Sequence, residues 1–244
     1  MKKERLDVLL VDRGLAESRT KAQALILAGE VVVGDQRVDK PGTRVPVEAE
    51  LRLKGDGLKF VSRGGLKLEA ALAHFSLDVS GRVCADIGAS TGGFTDCLLQ
   101  RGATRVHAID VGWGQLHEKL RKDPRVVSRE RVNARNLTAN ELPEPVGVLV
   151  FDVSFISLRL VLPSALPFLA PGGFLVALVK PQFEAGQAHV GTGGVVRDPA
   201  ARQASIDGIK HLVAGLDLEV LGVIDSPIAG PAGNVEALLA ARRP

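Results

Sequence analysis

The chain has 244 residues, 45% of them hydrophobic, with 31 Lys and Arg against 28 Asp and Glu and a formal net charge of +3. That length accommodates one large domain, or a small one beside a medium one. The longest apolar runs, such as Phe174 to Val179, stop far short of the ~20 residues that cross a bilayer. The apolar stretch after Met1 to Arg5 is broken by Asp7, Asp12 and Arg13, so neither a membrane span nor a secretory signal is expected. Cys84 and Cys97 suit a reduced, cytoplasmic protein, and the histidines have no metal-like spacing, so no metal site is expected. Basic residues gather at Lys2, Lys3 and Arg5, at Arg19 and Lys21, and at Arg63 and Lys67. Such clusters are either solvated faces or a phosphate-binding surface.

Residues 5–14 place Leu6, Leu9, Leu10 and Arg13 at helical spacing, and Gly14 stops the helix. Residues 18–29 predict a second helix, with Ser18 as N-cap, Ala22, Leu25 and Ile26 as the apolar face and Gly29 at its end. Val31 to Val33, Gly34-Asp35 and Arg37-Val38 read as a β-hairpin turning at the Gly-Asp pair. Pro41-Gly42 marks another turn, and residues 45–53 read as further strand. Arg19 and Lys21 fall in the first turn of the second helix, where cations oppose the helix dipole at a cost of a few tenths of a kcal/mol. A bound anion would offset that cost. The runs Arg5-Leu6-Asp7, Ser18-Arg19-x-Lys21-Ala22 and Gly29-Glu30-Val31-Val32-Val33, in helix, helix, hairpin order, resemble the αL-motif RNA-binding domain of the ribosomal-protein-S-four type. The resemblance implies that residues 1–58 bind RNA phosphates through Arg5, Arg19, Lys21 and Arg44, with Arg63 positioning RNA from the next segment.

Residues 54–62 are glycine-rich and charged, and read as a linker. Arg63-Gly64-Gly65-Leu66-Lys67-Leu68 leads into a helix with Leu66, Ala70, Leu72 and Ala73 on its buried side, so residues 59–81 form linker and leading helix ahead of a domain over 82–244. From Arg82 strands and helices alternate. Strands are predicted at 82–87, 104–110, 125–131, 146–152, 173–180, 217–225 and 234–241, and helices near 92–101, 115–122, 158–168 and 198–214. That alternation implies an α/β fold, a seven-stranded doubly wound sheet with helices on both faces. Val148 to Phe151 and Leu175 to Val179 are apolar throughout, as strands covered on both faces are. The last two strands follow each other without a helix, which predicts an antiparallel hairpin at one edge. A sheet ending that way resembles the Rossmann-like fold of S-adenosylmethionine-dependent methyltransferases rather than the dinucleotide fold.

The first strand of this part, Val83 to Ile87, runs into Gly88-Ala89-Ser90-Thr91-Gly92-Gly93-Phe94. A strand, a turn of small residues and a helix whose free N–H groups face a ligand form a nucleotide-like cofactor site. Three readings compete. The dinucleotide fingerprint G-x-G-x-x-G matches weakly, because Ser90 holds its second glycine position. The hydrolase elbow G-x-S-x-G matches with Ser90 as nucleophile, but only small-domain sequence precedes it and a triad histidine is missing. S-adenosylmethionine fits best. Asp86 precedes the turn and could support the methionine end, Asp110 ends the second strand where a carboxylate accepts ribose hydroxyls, and Asn133 borders the adenine.

Asp152 and Lys180 end the fourth and fifth strands, Lys67 precedes the first, and Glu236 lies in the last. A charge directly after an apolar strand wants a partner. The order Lys, Asp, Lys, Glu resembles the tetrad of the FtsJ-like ribose 2′-O-methyltransferases. With Ser62 to Leu68, Asp86 to Phe94, Phe151 to Leu158 and Val179 to Glu184, the chain from Arg5 to Arg242 resembles the TlyA (haemolysin A) family of ribosomal RNA cytidine 2′-O-methyltransferases. The resemblance implies that Lys67, Asp152, Lys180 and Glu236 are catalytic, with Lys180 taking or orienting the hydroxyl proton. It implies S-adenosyl-L-methionine as cofactor, held by Asp86, Gly88, Ala89, Ser90, Thr91, Gly92, Gly93, Phe94, Asp110, Asn133 and Asp152. It also implies ribosomal RNA or ribosomal subunits as partner. The short segments outside Arg5 and the last strand correspond to the family's shorter form, expected to act on large-subunit RNA. The alternatives are a membrane-active haemolysin, as the older family name suggests, and a non-catalytic RNA-binding protein, against which the intact tetrad weighs.

Overall fold

The computed structural model describes residues 3–53, 59–230 and 232–244. The chain divides into two compact units, Met1–Leu58 and Lys59–Pro244.

The smaller unit runs β1 (Lys3–Arg5), α1 (Leu6–Asp12), α2 (Arg19–Leu27), β2 (Val31–Val33), β3 (Gln36–Arg37), β4 (Arg44–Pro46) and β5 (Leu51–Leu53). Leu6, Leu9 and Leu10 of α1 and Ala22 and Ile26 of α2 pack with Val31, Val45 and Leu51 into its core. The Ser18 hydroxyl caps α2 by accepting the Lys21 backbone N–H at 3.2 Å. The β2–β3 hairpin turns at Gly34, which takes φ +61°. Three expectations are corrected. Arg13 leaves the apolar face of α1, because its guanidinium donates to the Ala49 carbonyl at 2.6 Å and stays exposed. Leu25 is only half-buried. The strand over 45–53 is two strands, because β4 pairs with β1, which the sequence did not announce, and β5 pairs with β2.

The larger unit contains α3 (Gly64–His74), β6 (Val83–Ile87), α4 (Gly93–Gln100), β7 (Arg105–Ile109), α5 (Glu118–Arg121), β8 (Val126–Arg129), β9 (Val146–Phe151), α6 (Leu162–Ala165), β10 (Leu169–Val179), α7 (Pro181–Glu184), α8 (Pro199–Ala214), β11 (Glu219–Asp225) and β12 (Ala237–Arg242). One seven-stranded sheet runs in the order β8-β7-β6-β9-β10-β12-β11. All neighbours are parallel except β12, which is antiparallel to β10 and β11. The edge hairpin is therefore present, with its second strand inserted one place inward. Leu68, Ala71 and Leu72 of α3 pack with Phe94, Cys97 and Leu98 of α4 on one face of the sheet. Ile206, Ile209 and Val213 of α8 cover the other.

Here too the helices depart from prediction. The segment 158–168 breaks into a 3₁₀ turn (158–160), α6 and a second 3₁₀ turn (166–168). Pro163 and Pro167 each remove an N–H donor that a continuous helix would need. The helix expected over 115–122 is a single turn, α5. Helix α3 buries Leu68, Ala71 and Leu72, while Leu66 and Ala70 are half-buried and Ala73 is exposed. The chain order reverses at β6, which has β7 on one side and β9 on the other. Ligands of such sheets bind beyond the carboxyl ends of the strands at that reversal.

Candidate active site

Beyond Ile87 the backbone doubles back. Gly88 (φ +87°) and Ala89 both donate to the Ile109 carbonyl, at 2.8 and 3.2 Å. A Cβ on Gly88 would stand 2.8 Å from the Asp152 backbone oxygen, so the first glycine is required by the neighbouring strand end. Ser90 takes the left-handed conformation at φ +48°, and its N–H donates to Asp110 Oδ2 at 2.8 Å. Asp110 Oδ1 accepts the Gly112 N–H at 2.7 Å, so one carboxylate pins the turns after β6 and β7 together.

A cavity of about 500 Å³ opens beside these turns, lined by Gly88, Ser90, Asp110, Asn133 and Asp152 from the expected set. That is the size of a small-molecule cofactor site. Ile109, Val111, Val132 and Ile156 give it apolar walls that suit a flat base, and each Asp110 oxygen keeps a lone pair for a ribose hydroxyl. The residues present therefore fit an adenosyl cofactor. Ala134 and Arg135, which follow Asn133 in the run expected to border the adenine, line the cavity too, whereas Gln115, Ser154 and Phe155 also line it and were not anticipated. Phe155 is 91% exposed at φ +63°, with its ring 5.4 Å from that of Phe183. The signal for Phe155 was its place three residues after Asp152 in a run that ought to be buried. Asn133 accepts the Arg135 N–H at 3.1 Å and starts a 3₁₀ turn.

The remaining expected cofactor residues lie outside the cavity lining. A Cβ on Gly92 would meet Leu120 Cδ1 at 2.2 Å, and one on Gly93 would meet Ser62 Oγ at 2.2 Å and the Gly65 nitrogen at 2.9 Å. Their smallness serves helix packing rather than close approach of a ligand. Phe94 belongs to the core, Ala89 is buried, and the Thr91 carbonyl accepts the His117 N–H at 3.1 Å. Asp86 is wholly buried beneath the turn, where the Thr95 hydroxyl donates to Oδ2 at 2.7 Å and Oδ1 has no partner among the described residues. Burial pushes its carboxyl up to about 7, and the charges of Asp152 and Asp110 push the same way. Among the described residues that line the cavity there is no histidine, which leaves Ser90 without the base a hydrolase elbow needs. Burial drives both thiols, Cys84 and Cys97, up to about 12, so they behave as small hydrophobes.

The four charged residues come together as two ion pairs. Lys180 Nζ lies 2.7 Å from Asp152 Oδ1 and donates to Ser154 Oγ at 2.7 Å. Lys67 Nζ donates to Glu236 Oε2 at 2.6 Å, with side chains only 8% and 1% exposed. The sheet register explains the meeting. Val179 is paired with Ala237, so Lys180 and Glu236 are the next residues beyond that ladder. Helix α3 packs on β12, and a Cβ on Gly64 in its first turn would be 3.7 Å from Asp152 Oδ2. Lys180 itself stands behind Asp152 and Ser154, which reach the cavity. Buried pairs of this kind add little net stability, and breaking one strands a charge at about 3–5 kcal/mol. Arg63 is the N-cap residue of α3.

In the smaller unit Asp7 is fully buried and collects Arg5 Nε and Nη2 at 3.0 and 2.9 Å, Arg19 Nε at 2.9 Å and Gln23 Nε2 at 2.8 Å. Hydrogen bonding from Arg5, ahead of that from Gln23 and Arg19, holds its carboxyl well below the usual carboxylate range. The cations opposing the α2 dipole are thus partly answered from within the protein. Lys21 and Arg44 are exposed.

Comparison with known proteins agrees with this geometry. Residues 60–243 match the FtsJ-like methyltransferase family and residues 4–51 match the S4 domain. The chain is 50% identical over 242 residues to YqxC of Bacillus subtilis, provisionally named an rRNA methyltransferase, covering 98% of this chain and 85% of that protein. It is 47% identical over 239 residues to the 16S/23S rRNA (cytidine-2'-O)-methyltransferase TlyA of Mycobacterium tuberculosis, covering 98% and 89%. A structure named as a hemolysin, from Streptococcus thermophilus, superposes with a TM-score of 0.77 at 46% identity, covering 100% of this chain and 89% of that one. Family, sheet and cavity agree: the chain belongs to the FtsJ-like methyltransferases, in the branch that TlyA and haemolysin A share, and takes its methyl group from S-adenosyl-L-methionine.

Proposed function

We propose that the chain methylates the 2′-hydroxyl of a cytidine in ribosomal RNA, with large-subunit RNA favoured, and acts in the cytoplasm. The observation that carries the reaction is the two lysine–carboxylate contacts, Lys67–Glu236 buried and Lys180–Asp152 at the edge of the adenosyl-sized cavity. The substrate class is supported by the mycobacterial relative, whose name gives cytidine ribose and both 16S and 23S RNA, and by the S4 match in the smaller unit.

The bound cofactor supplies an electrophilic methyl group on a sulfonium. The protein's part is to hold the ribose oxygen in line with it and to manage one proton. Asp152 and Ser154 each take one N–H of Lys180 Nζ and so fix the direction of its lone pair when it stands as the free amine. Lys180 orients the 2′-hydroxyl and takes up its proton as the oxygen becomes the nucleophile. Glu236 holds Lys67 beside this pair, where its charge favours the developing alkoxide. Gly88, Ser90, Asp110, Asn133 and Asp152 hold the cofactor, with Asp86, Ala89, Thr91, Gly92, Gly93 and Phe94 shaping the turn around it. Arg5, Arg19, Lys21 and Arg44 meet RNA phosphates, and Arg63 positions the strand. Arg5 and Arg19 keep 38% and 55% of their side chains in solvent while bound to Asp7, so each can also face a phosphate. Among the described residues no helix is long and apolar enough to cross a membrane.

The deciding experiment transfers labelled methyl from the cofactor to separated large and small ribosomal subunits and maps the product. A labelled cytidine ribose, with the large subunit taking more label, is expected. Label confined to the small subunit, to a base, or to neither subunit overturns the reading.

A further inference from the structure

Trp113 is the chain's single tryptophan, and it stands 70% exposed at the rim of the cavity, between Val111 and Gln115, which line it. A large aromatic left in water is unusual unless something covers it. The loop around it is built to keep it there. Arg131 donates its backbone N–H to the Gly112 carbonyl and Val132 donates to that of Asp110, both at 3.0 Å, so the segments after β7 and β8 stay zipped together past the strand ends. Arg131 takes φ +60°, a left-handed backbone unfavourable for a side chain of this kind. Its guanidinium lies over the indole, 5.3 Å from the ring centroid. Glu130 braces the same loop by accepting the Gly114 N–H at 3.0 Å and Arg121 Nη2 at 2.6 Å.

The acids near this pair are already answered. Asp110 takes two backbone N–H groups, and Glu130 takes Arg121 and Gly114. An exposed indole with an exposed cation over it is left at the rim. Neither Trp113 nor Arg131 lines the cavity, so the pair is not a wall of the cofactor site.

We infer that Trp113 and Arg131 form a stacking platform for an RNA strand that crosses the rim of the cavity, the indole taking the face of a base and Arg131 a phosphate. The inference rests on the RNA substrate proposed above. A splayed or single-stranded segment suits the platform, because stacking accepts any base and the cation holds the backbone. The contact would therefore add affinity and orientation rather than sequence choice.

The absence of tyrosine and of any other tryptophan makes Trp113 its own probe. Protein-free ribosomal RNA titrated into the full-length chain is expected to quench its emission, while S-adenosylhomocysteine alone leaves it nearly unchanged. Trp113→Ala is expected to weaken RNA binding by about five- to 150-fold with cofactor affinity held. Trp113→Phe keeps a ring, recovers most of the affinity, and carries the test if the alanine variant does not fold. Arg131→Gln is expected to flatten the slope of log affinity against log salt by about 0.7–0.9, one phosphate contact, while Trp113→Phe leaves it unchanged. Emission that responds to S-adenosylhomocysteine and not to RNA identifies a cofactor lid and overturns the platform. So does wild-type RNA affinity and salt slope in both Trp113→Ala and Arg131→Gln. Methyl transfer by the unmodified protein is measured alongside. Transfer with unaffected variants removes the platform alone, whereas RNA-dependent quenching without transfer removes the reaction and leaves the platform standing.

Discussion

Asp7 in the smaller unit and Asp86 in the larger are both wholly buried, yet their surroundings drive them in opposite directions. Asp7 receives donors from Arg5, Arg19 and Gln23 and is held far below the usual carboxylate range. Asp86 receives one hydroxyl, from Thr95, has one oxygen without a partner among the described residues, and is pushed up to about 7 by burial. The difference teaches what each charge is for. The Asp7 cluster ties α1 to α2 in a unit with a small core, and it is saturated. At the carboxyl edge of the large sheet the lysine donors are directed elsewhere, to Asp152 and Glu236, and Asp86 keeps the Thr95 hydroxyl beneath the turn.

The comparison breaks most sharply if the two clusters prove interchangeable in kind. Lys180→Ala is expected to cut methyl transfer by about 10²–10⁴-fold while cofactor affinity by equilibrium dialysis changes little. Appreciable residual turnover would remove Lys180 from the chemistry. Asp7→Ala is expected to act on folding instead. It strands two arginines and should cost about 3 kcal/mol in urea unfolding, the low end for a broken buried pair because Arg5 and Arg19 keep contact with water. Undiminished stability of the smaller unit would show that its core carries it alone.

Two smaller effects sharpen the contrast. Gly92→Ala puts a methyl group against Leu120 at φ +98° and should destabilise the larger unit by about 1–3 kcal/mol, with the smaller unit untouched. Equal stability would mean that α5 moves aside freely. The pH profiles should run in opposite senses. The Asp7 contribution is complete above its unfolded value near pH 4 and is lost as pH falls from there toward its lowered folded value. For Asp86 the folded state holds the proton more tightly, so stability is greatest below about pH 4, declines as pH rises to about 7 and is level beyond. Asp86→Asn should therefore match the natural chain near pH 4 and exceed its Tm by about 3 °C or more at pH 8. An identical Tm difference between the two pH values in both proteins would rule out the raised carboxyl.

Much of this was legible in one sequence. The strands announced themselves because a parallel sheet covered on both faces needs continuous apolar runs, as in Val148 to Phe151. Lys180, Asp152 and Glu236 stood out because each interrupts or ends such a run, and they do form ion pairs. Helix lengths were less legible. Pro163 and Pro167 sit inside an amphipathic pattern whose periodicity hides the missing N–H donors. Ser154 and Phe155 were passed over because their exposure depends on how the strand end is turned. The sharing of Asp7 by Arg5 and Arg19 was not legible, because Arg19 meets Asp7 only once α1 and α2 fold against each other.

The glycine turn shows the division most plainly. By itself the sequence determined that the chain must reverse after Ile87, since Gly88 to Gly93 can neither extend a strand nor begin a helix earlier. Only the tertiary structure decided what each small residue accommodates: Asp152 for Gly88, Leu116 and Leu120 for Gly92, and the start of α3 for Gly93. Local backbone preference is written along the chain, whereas the atom that would collide with a missing Cβ comes from a strand or helix dozens of residues away.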